Sequence, residues 1–255
     1  MKATVEALMG FFDLTEEEKS EFEGKHVLDP IRYGTSFKAS VDKVFLWRDF
    51  LKMTVHPKFH CPTKPEGLSK VLAKYSGALR KLVRELLKGI SEGLGLKPGY
   101  IDEAMNMDSS LQILATNLME LAALKFIMTG SGSVSPENAP AVKYNSPKVV
   151  LRFLMVKADL IPNAFVVNTV DQLEIVSNGK YKSVLHRAIV NNKAARLSIP
   201  FSTRPSPDTV VVPAKQLVDG EHNQATYISM NYKDYLEFKQ SKVIDGKSYL
   251  NQVKI

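Results

Sequence analysis

The sequence contains a single cysteine, Cys61, among its 255 residues. One thiol cannot close an internal disulfide, and no cysteine-based zinc motif is present. A reducing intracellular compartment suits this composition, so we expect a cytoplasmic protein. We expect Cys61 to be a small packed residue, because no partner base accompanies it in the sequence.

Long apolar segments are also missing from the chain. The two longest, around 149–156 and 164–170, are too short to cross a bilayer, and Arg152 interrupts the first of them. At the N-terminus, Glu6 stands where a secretion signal would begin its apolar run. We therefore predict neither a membrane partner nor a secretion signal.

The sequence also has no segment in which positive charge is concentrated. The net charge is +7, from 34 basic and 27 acidic residues, but the two signs are interleaved along the chain. No basic run is combined with stacking aromatic residues, as binding to single strands would require. This argues against a nucleic-acid partner, and the 44% hydrophobic content is that of an ordinary globular protein.

Helical periodicity dominates the first part of the chain. The strongest helix is predicted over 68–94, and a capping box, Thr15 to Glu18, predicts a helix start. Further helices are predicted around Val5–Phe12, near Lys97–Met105 and over Tyr232–Gln240. Tyr33–Ser36 is interpreted as a turn, and Phe45–Leu51 as a candidate strand.

From about residue 109 the apolar period shortens to two. Strands are predicted over five segments, which are Leu111–Leu118, Ala164–Thr169, Tyr181–Val190, Arg196–Phe201 and Thr209–Val212. Turns are predicted at Asn178-Gly179 and Asn191–Lys193, and a long loop over 129–147. Short, closely spaced strands favour an antiparallel sandwich or barrel, which with the helices gives an α+β fold.

Several segments carry a resemblance to a known family. Three lie in the β part: Asn163–Ile175, Ser177–Arg187 and Arg196–Phe201. Together with Tyr33–Phe37, Trp47–Leu51, His56-Pro57, Glu85–Glu92 and Lys233–Leu236, they resemble the plant 2-oxoglutarate- and Fe(II)-dependent dioxygenases. The resemblance covers roughly residues 1–118 and 161–255.

The resemblance implies a fold, a site and a chemistry. It implies a helical N-terminal region over 1–108, a double-stranded β-helix (jelly-roll) core over 109–230 with an atypical stretch at 119–160, and a C-terminal helix and tail over 231–255. His186 is the implied iron ligand, and Arg196, Ser198 and Asn117 are the implied 2-oxoglutarate residues. Fe(II) and 2-oxoglutarate are the implied cofactors, ascorbate is a candidate reductant, and the implied substrate is a small, aromatic plant metabolite.

The sequence departs from this family in its metal-binding half. Two of the family's three iron ligands form a His-X-Asp pair, and none of the five histidines here is followed two residues later by aspartate. Met119 replaces a tyrosine, and Val170 replaces a glycine. The segment 119–160 does not resemble the family. Two explanations fit this difference: a frameshifted or mispredicted exon, or a replaced segment. The start is also short relative to the family, so we expect an incomplete jelly roll with unpaired sheet edges.

Three functions remain open from the sequence. The first is a dioxygenase acting on a small metabolite, and the second is a non-catalytic relative or aberrant product that binds a small ligand or partner. The third, a structural module, has no motif behind it. The absent His-X-Asp pair favours the second, and no spacing among Glu120, Glu137 and Asp159 indicates replacement ligands. The other four histidines are expected to be structural or exposed, namely His26, His56, His60 and His222.

Overall fold

A computed structural model of the protein describes residues 1–26, 29–35, 49–119, 164–183, 195–218, 222–241 and 248–255. The helices are α1 (Lys2–Phe12), α2 (Glu16–Ser20), α3 (Leu68–Gly93), α4 (Tyr100–Ala104), α5 (Asp171–Val176), α6 (Tyr232–Ser241) and α7 (Ser248–Gln252). The strands are β1 (Ile31–Thr35), β2 (Asp49–His56), β3 (Leu111–Met119), β4 (Arg196–Ser198), β5 (Phe201–Arg204), β6 (Val210–Val211) and β7 (Met230–Asn231). Within these ranges no helix is long and apolar enough to cross a membrane.

The predicted helices of the first part are confirmed. The Thr15 hydroxyl accepts a hydrogen bond from the Glu18 amide at 3.2 Å, and the Glu18 carboxylate accepts one from the Thr15 amide at 3.2 Å. This reciprocal pair satisfies two amides that the first turn of α2 leaves unbonded. Helices α1, α3, α4 and α6 also lie where the 3.6-residue period places them.

One five-stranded antiparallel sheet organises the fold, with β3 at its centre. β2 pairs with one edge of β3 and β1 pairs with β2, while β4 and β5 share the other edge of β3. Ser198 of β4 lies opposite Asn117 of β3, and Arg204 of β5 lies opposite Leu111 of β3. Both β4 and β5 therefore pair with β3 in the same register. β4 and β5 are therefore one strand interrupted at 199–200, which confirms the strand predicted over Arg196–Phe201 and extends it.

The turn predicted at Tyr33–Ser36 is wrong for its described residues. Tyr33, Gly34 and Thr35 lie in β1, with Gly34 opposite Phe50 in β2. A Cβ at Gly34 would lie 3.3 Å from Phe50 Cζ, so glycine here allows a close cross-strand approach. The strand predicted over Phe45–Leu51 is confirmed at its described end, and β2 continues to His56.

The strand predicted over Ala164–Thr169 is also wrong. These residues have no regular structure, and the side chains of Val166 and Val167 are 59% and 63% exposed. Their β-branched side chains favour a strand only when the backbone finds a partner, and among the described residues none pairs with them. The next segment forms α5, which the sequence pattern did not predict.

Other predictions in the β part have mixed outcomes. The Asn178-Gly179 turn is present, with φ values of +48° and +82°, but it follows helix α5 and does not join two strands. The strand predicted over Thr209–Val212 is reduced to Val210–Val211. The 129–147 loop, the Asn191–Lys193 turn and most of the Tyr181–Val190 strand lie outside the described residues, and residues 181–183 are not in a strand.

The two faces of β3 have different environments. Alternate residues on one face are buried, namely Gln112, Leu114, Thr116 and Leu118. Of these, Leu114 and Leu118 pack with the buried residues of β2 and with Leu8, Phe11, Leu68 and Leu72 of α1 and α3. The opposite face, which carries Asn117 and Met119, is only half-buried, and we call it the inner face of the sheet.

Candidate functional site

The inner face of the sheet brings together the three residues that the resemblance assigns to 2-oxoglutarate. Asn117 and Ser198 are directly opposite each other in β3 and β4, and Arg196 lies opposite Met119. Because side chains two residues apart on a strand share a face, Arg196 and Ser198 project to the same side as Asn117. All three side chains are half-buried.

A hydrogen bond orients two of these side chains. The Asn117 amide nitrogen donates to the Ser198 hydroxyl oxygen at 3.4 Å. Because that oxygen accepts from Asn117, the Ser198 hydroxyl hydrogen is available for another acceptor. The Arg196 guanidinium adds a planar fork of donors that matches both oxygens of a carboxylate. The arrangement is chemically suited to holding one carboxylate on the inner face.

Met119 lies beside this arrangement, directly opposite Arg196 in the neighbouring strand. It stands where the resembled family has a tyrosine. A thioether is only a weak hydrogen-bond acceptor, whereas a tyrosine hydroxyl also donates. Relative to the resembled family, the inner face therefore has one hydrogen-bond donor fewer, while Arg196, Ser198 and Asn117 are still present.

The iron half of the site does not assemble among the described residues. No group of three His, Cys, Asp or Glu side chains that could hold a metal ion is found within them. His186 lies outside the described residues, as do Glu120, Glu137 and Asp159. His56 is structural, because its Nε2 lies 2.9 Å from the Asp108 carbonyl oxygen.

A buried carboxylate anchors the turn that leads toward His186. Glu174 in α5 is 4% exposed and accepts hydrogen bonds from the Tyr227 hydroxyl at 2.6 Å and the Ser183 amide at 2.7 Å. The Lys182 ammonium lies 3.3 Å from the same carboxylate. Burial, followed by the hydrogen bond to Glu174, raises the pKa of Tyr227 above its ordinary value. This network fixes the backbone up to Ser183.

A cavity of about 240 Å³ lies at the opposite end of the inner face. It is bordered by β5, α5 and α6, and we call it the Arg204 pocket; its lining residues are Val170, Gln172, Ser202, Thr203, Arg204, Tyr232, Tyr235 and Leu236. The sequence pattern was not interpreted as far as Arg204, although this residue continues the alternation of Arg196 and Ser198. That period of two, extended through β5, is the signal that would have found it.

The tyrosines of the Arg204 pocket are held in place. The rings of Tyr232 and Tyr235 stack with centroids 5.6 Å apart and an interplanar angle of 23°, and the Tyr235 hydroxyl donates to Asp171 at 3.1 Å. Burial raises the pKa of Tyr232 to about 12, against the opposing effect of the Arg204 charge. Burial also raises the pKa of Tyr235, and the Asp171 carboxylate adds to that increase. Both phenols are therefore neutral at physiological pH.

Comparison with known structures shows that solved proteins share this fold. The structure of JOX2 in complex with 2OG, Fe and JA superposes with a TM-score of 0.78 at 23% identity, covering 100% of this chain and 78% of that one. The dioxygenase for auxin oxidation (DAO) in rice superposes with a TM-score of 0.68 at 18% identity, covering 99% and 84%. The α+β, jelly-roll prediction is thus confirmed.

Sequence comparison then identifies the family. The family model of the 2OG-Fe(II) oxygenase superfamily matches residues 152–205. Over 270 aligned residues, 2-oxoglutarate-dependent dioxygenase 19 of Oryza sativa subsp. japonica is 37% identical, covering 100% of this chain and 77% of the relative. Protein DMR6-LIKE OXYGENASE 2 of Arabidopsis thaliana is 32% identical, covering 100% and 75%. This chain belongs to the 2OG-Fe(II) oxygenase superfamily, within a group of plant dioxygenases.

Proposed function

We propose that this chain binds 2-oxoglutarate through Arg196, Ser198 and Asn117, and that its iron-dependent oxidation is impaired or lost. The observation that carries the proposal is the shared placement of these three side chains on the inner face, with the Asn117–Ser198 hydrogen bond at 3.4 Å. It is combined with the absence of a His-X-Asp pair from the whole sequence. Carboxylate recognition is preserved in this proposal, and metal recognition is not.

The cofactors of the superfamily are Fe(II) and 2-oxoglutarate, with ascorbate as a candidate reductant. Iron held by two histidines and one carboxylate keeps open positions for 2-oxoglutarate and oxygen, where it supplies the oxidising chemistry. Of those ligands this sequence supplies one assigned position, His186. Loss of a residue that only hydrogen-bonds to a metal ligand already lowers metal affinity about 10–100-fold, so loss of two ligands lowers it further. The residues therefore do not fit a stable iron site, and the proposal contains no oxidative step.

Active oxidation of a small, aromatic plant metabolite is the second candidate. It is favoured by relatives such as Flavanone 3-dioxygenase 2 of Oryza sativa subsp. japonica, which is 30% identical and is covered over 72% of its length. This candidate requires replacement iron ligands, for which Glu120, Glu137 and Asp159 supply the right chemistry but no indicative spacing. It predicts iron-dependent release of succinate and carbon dioxide.

The proposal is tested by two anaerobic titrations with 2-oxoglutarate, one in the presence of Fe(II) and one in the presence of a chelator. Calorimetry is expected to detect 2-oxoglutarate binding in both titrations, and no visible charge-transfer band should develop in the titration with Fe(II). Arg196→Met should weaken the binding roughly 10- to 100-fold, because it removes charge-assisted hydrogen bonds. Lys215→Gln, which also removes one positive charge but from an exposed position, should leave it unchanged.

The alternatives give different results in the same titration. A saturable band that disappears in His186→Ala, together with succinate release, would show a completed iron site and an active enzyme. A cooperative unfolding transition shows that the protein is folded. If such protein does not bind 2-oxoglutarate, the carboxylate site is also lost. The first result refutes impaired oxidation, and the second refutes retained binding.

A further inference from the structure

We propose that one exposed face of helix α3 binds the same face of a second copy of this chain, with the two helices antiparallel. We call it the α3 face. It consists of an apolar stripe, Ala78, Leu82, Leu86 and Gly89, and a charged flank, Lys74, Lys81, Glu85 and Glu92, and all of these residues are exposed. The inference is independent of the proposed function, because α3 packs against the buried face of the sheet and not on the inner face.

The apolar stripe contains two leucines that stay outside the described core. Leu82 and Leu86 are each 39% exposed, whereas the neighbouring Val83 packs against buried core residues. Residues three and four apart share one side of a helix, so Ala78 and Gly89 extend the same stripe at its two ends. A Cβ at Gly89 would meet no atom within 4 Å. Because the separation of two packed helices depends on the side chains at the contact, these small residues allow a second helix to approach closely.

The charged flank runs along one side of the stripe. Lys74, Lys81, Glu85 and Glu92 are seven, four and seven residues apart, which places them on one side of α3. Within the described part of the chain none of the four takes part in an ion pair. Two cations and two anions are therefore available to a partner that carries the opposite charge at each position.

The order of these charges is complementary to itself in an antiparallel pair. Two-fold symmetry brings the same flank of both helices together, and each residue faces the one equally distant beyond the midpoint. Lys81 and Glu85 have their midpoint at Val83, so Lys81 of one copy faces Glu85 of the second copy. Lys74 and Glu92 share that midpoint and meet in the same way. A parallel pair would instead set this flank against the opposite side of α3, which packs into the core.

The apolar stripe has nearly the same centre of symmetry. Leu82 and Leu86 have their midpoint at Arg84, so the leucines of the two copies meet. Ala78 and Gly89 have theirs between positions 83 and 84, so the two small residues face each other. The centres of the stripe and the flank differ by one residue, which is about 1.5 Å along the axis and within the reach of lysine and glutamate side chains. One second copy therefore satisfies both the stripe and the flank.

The size of the α3 face indicates a weak dimer. From Lys74 to Glu92 the face extends over about 28 Å, at roughly 1.5 Å per residue. With a helix diameter of about 10 Å, its footprint is about 300 Å² per chain, well below the roughly 800 Å² of a stable interface. We therefore expect association that depends on concentration and dissociates readily.

Sedimentation equilibrium of the full chain tests this inference, at about 10 μM to 1 mM protein and about 50 mM salt, where screening is weak. The mass should rise with concentration from 28.4 kDa towards twice that value. Lys81→Glu and Glu85→Lys each place like charges opposite each other twice in the dimer, so each should raise the dimer Kd at least about 5-fold. Lys215→Glu, a charge reversal at an exposed position outside α3, should leave the Kd unchanged.

An equimolar mixture of Lys81→Glu and Glu85→Lys is the decisive sample. The heterodimer has opposite charges at both contacts, so the mixture should associate as tightly as the unaltered chain. Each variant also alters charges within its own helix, but mixing does not change those contacts, so recovery belongs to the interface. Circular dichroism confirms that each variant is folded.

Three results would overturn the proposal. A chain that stays monomeric up to about 1 mM would leave a different protein as the occupant of the α3 face. A dimer that both variants leave unchanged, or that Lys215→Glu weakens equally, would form without the α3 face. Weakened dimers without recovery in the mixture would exclude the antiparallel pairing of Lys81 with Glu85.

Discussion

Removal of one hydroxyl, in Tyr227→Phe, should destabilise the protein measurably. Tyr227 is 2% exposed, and its hydroxyl donates to the buried Glu174 carboxylate at 2.6 Å. Phenylalanine keeps the ring in the core but leaves one carboxylate oxygen without this donor. The Lys182 ammonium at 3.3 Å remains, but its side chain is 59% exposed, so it compensates only in part.

The magnitude follows from the charge of the acceptor. A hydrogen bond to a charged group contributes about 1.5–3 kcal/mol, and the retained lysine places Tyr227→Phe near the lower end, at about 2 kcal/mol. For a chain of this size that corresponds to a fall in Tm of roughly 4–8 °C. Urea unfolding followed by circular dichroism measures the free energy of unfolding, and a thermal scan measures the shift in Tm.

Tyr75→Phe is the matched control for the same chemical change. Tyr75 is half-buried in α3, and burial alone raises its pKa, with no carboxylate involved. Its hydroxyl is therefore expected to contribute less than about 0.5 kcal/mol. Equal losses for Tyr75→Phe and Tyr227→Phe would refute the reasoning, because the effect would then belong to any hydroxyl and not to the Glu174 bond.

The alkaline pH dependence provides an independent check on Tyr227. Its folded-state pKa is raised, first by burial and then by Glu174, so the folded state favours the neutral phenol. Stability from this source is fully present below the unfolded pKa of about 10 and is lost as the pH rises through the folded pKa. The free-energy difference between the unaltered chain and Tyr227→Phe should therefore narrow above about pH 10.

Three further predictions concern single residues. The Tm of Glu18→Gln should fall less at acidic pH than the Tm of the unaltered chain. The hydrogen bond from the Thr15 amide lowers the pKa of Glu18, and the stability that it provides is lost as the pH falls through that pKa. An equal fall in Tm for both proteins would contradict this. Gly179→Ala should cost about 1 kcal/mol or more in urea unfolding, since the glycine φ is +82° and the added Cβ would lie 2.9 Å from Lys182 Nζ; a neutral effect would contradict it. Cys61 should resist iodoacetamide at pH 8 in mass spectrometry, because burial raises its pKa to about 12, and rapid alkylation of the folded chain would contradict that expectation.

Local periodicity predicted the elements that have one buried and one exposed face. α3 and β3 are of this kind, with alternation of 3.6 and two residues, and the structure places them within one residue of the prediction. α5 was missed because all six of its residues are buried, so its sequence has no amphipathic period to detect. The segment Ala164–Thr169 failed for the opposite reason: its apolar, β-branched content was visible, but pairing depends on residues distant in the sequence.

Only part of the candidate site could be proposed from the sequence. Asn117, Arg196 and Ser198 came from a resemblance, and the strand register explains why they share a face. Arg204 was missed because the predicted strand ends at Phe201, although the period of two continues through β5 to Arg204. Gly34 was misinterpreted because a glycine that permits cross-strand contact has the same sequence signature as a glycine in a turn.

The proposed separation of carboxylate recognition from metal recognition follows from the different parts of the chain that would carry each. The carboxylate donors lie on two adjacent strands, and the backbone pairing of β3 with β4 is enough to align them. A facial iron triad instead needs three ligands that converge from separate segments, so the absence of one segment's His-X-Asp pair would be enough to remove it. Carboxylate binding should therefore survive where oxidation does not. If iron were still required for 2-oxoglutarate binding in the anaerobic titration, the two functions would be coupled and this separation would not hold.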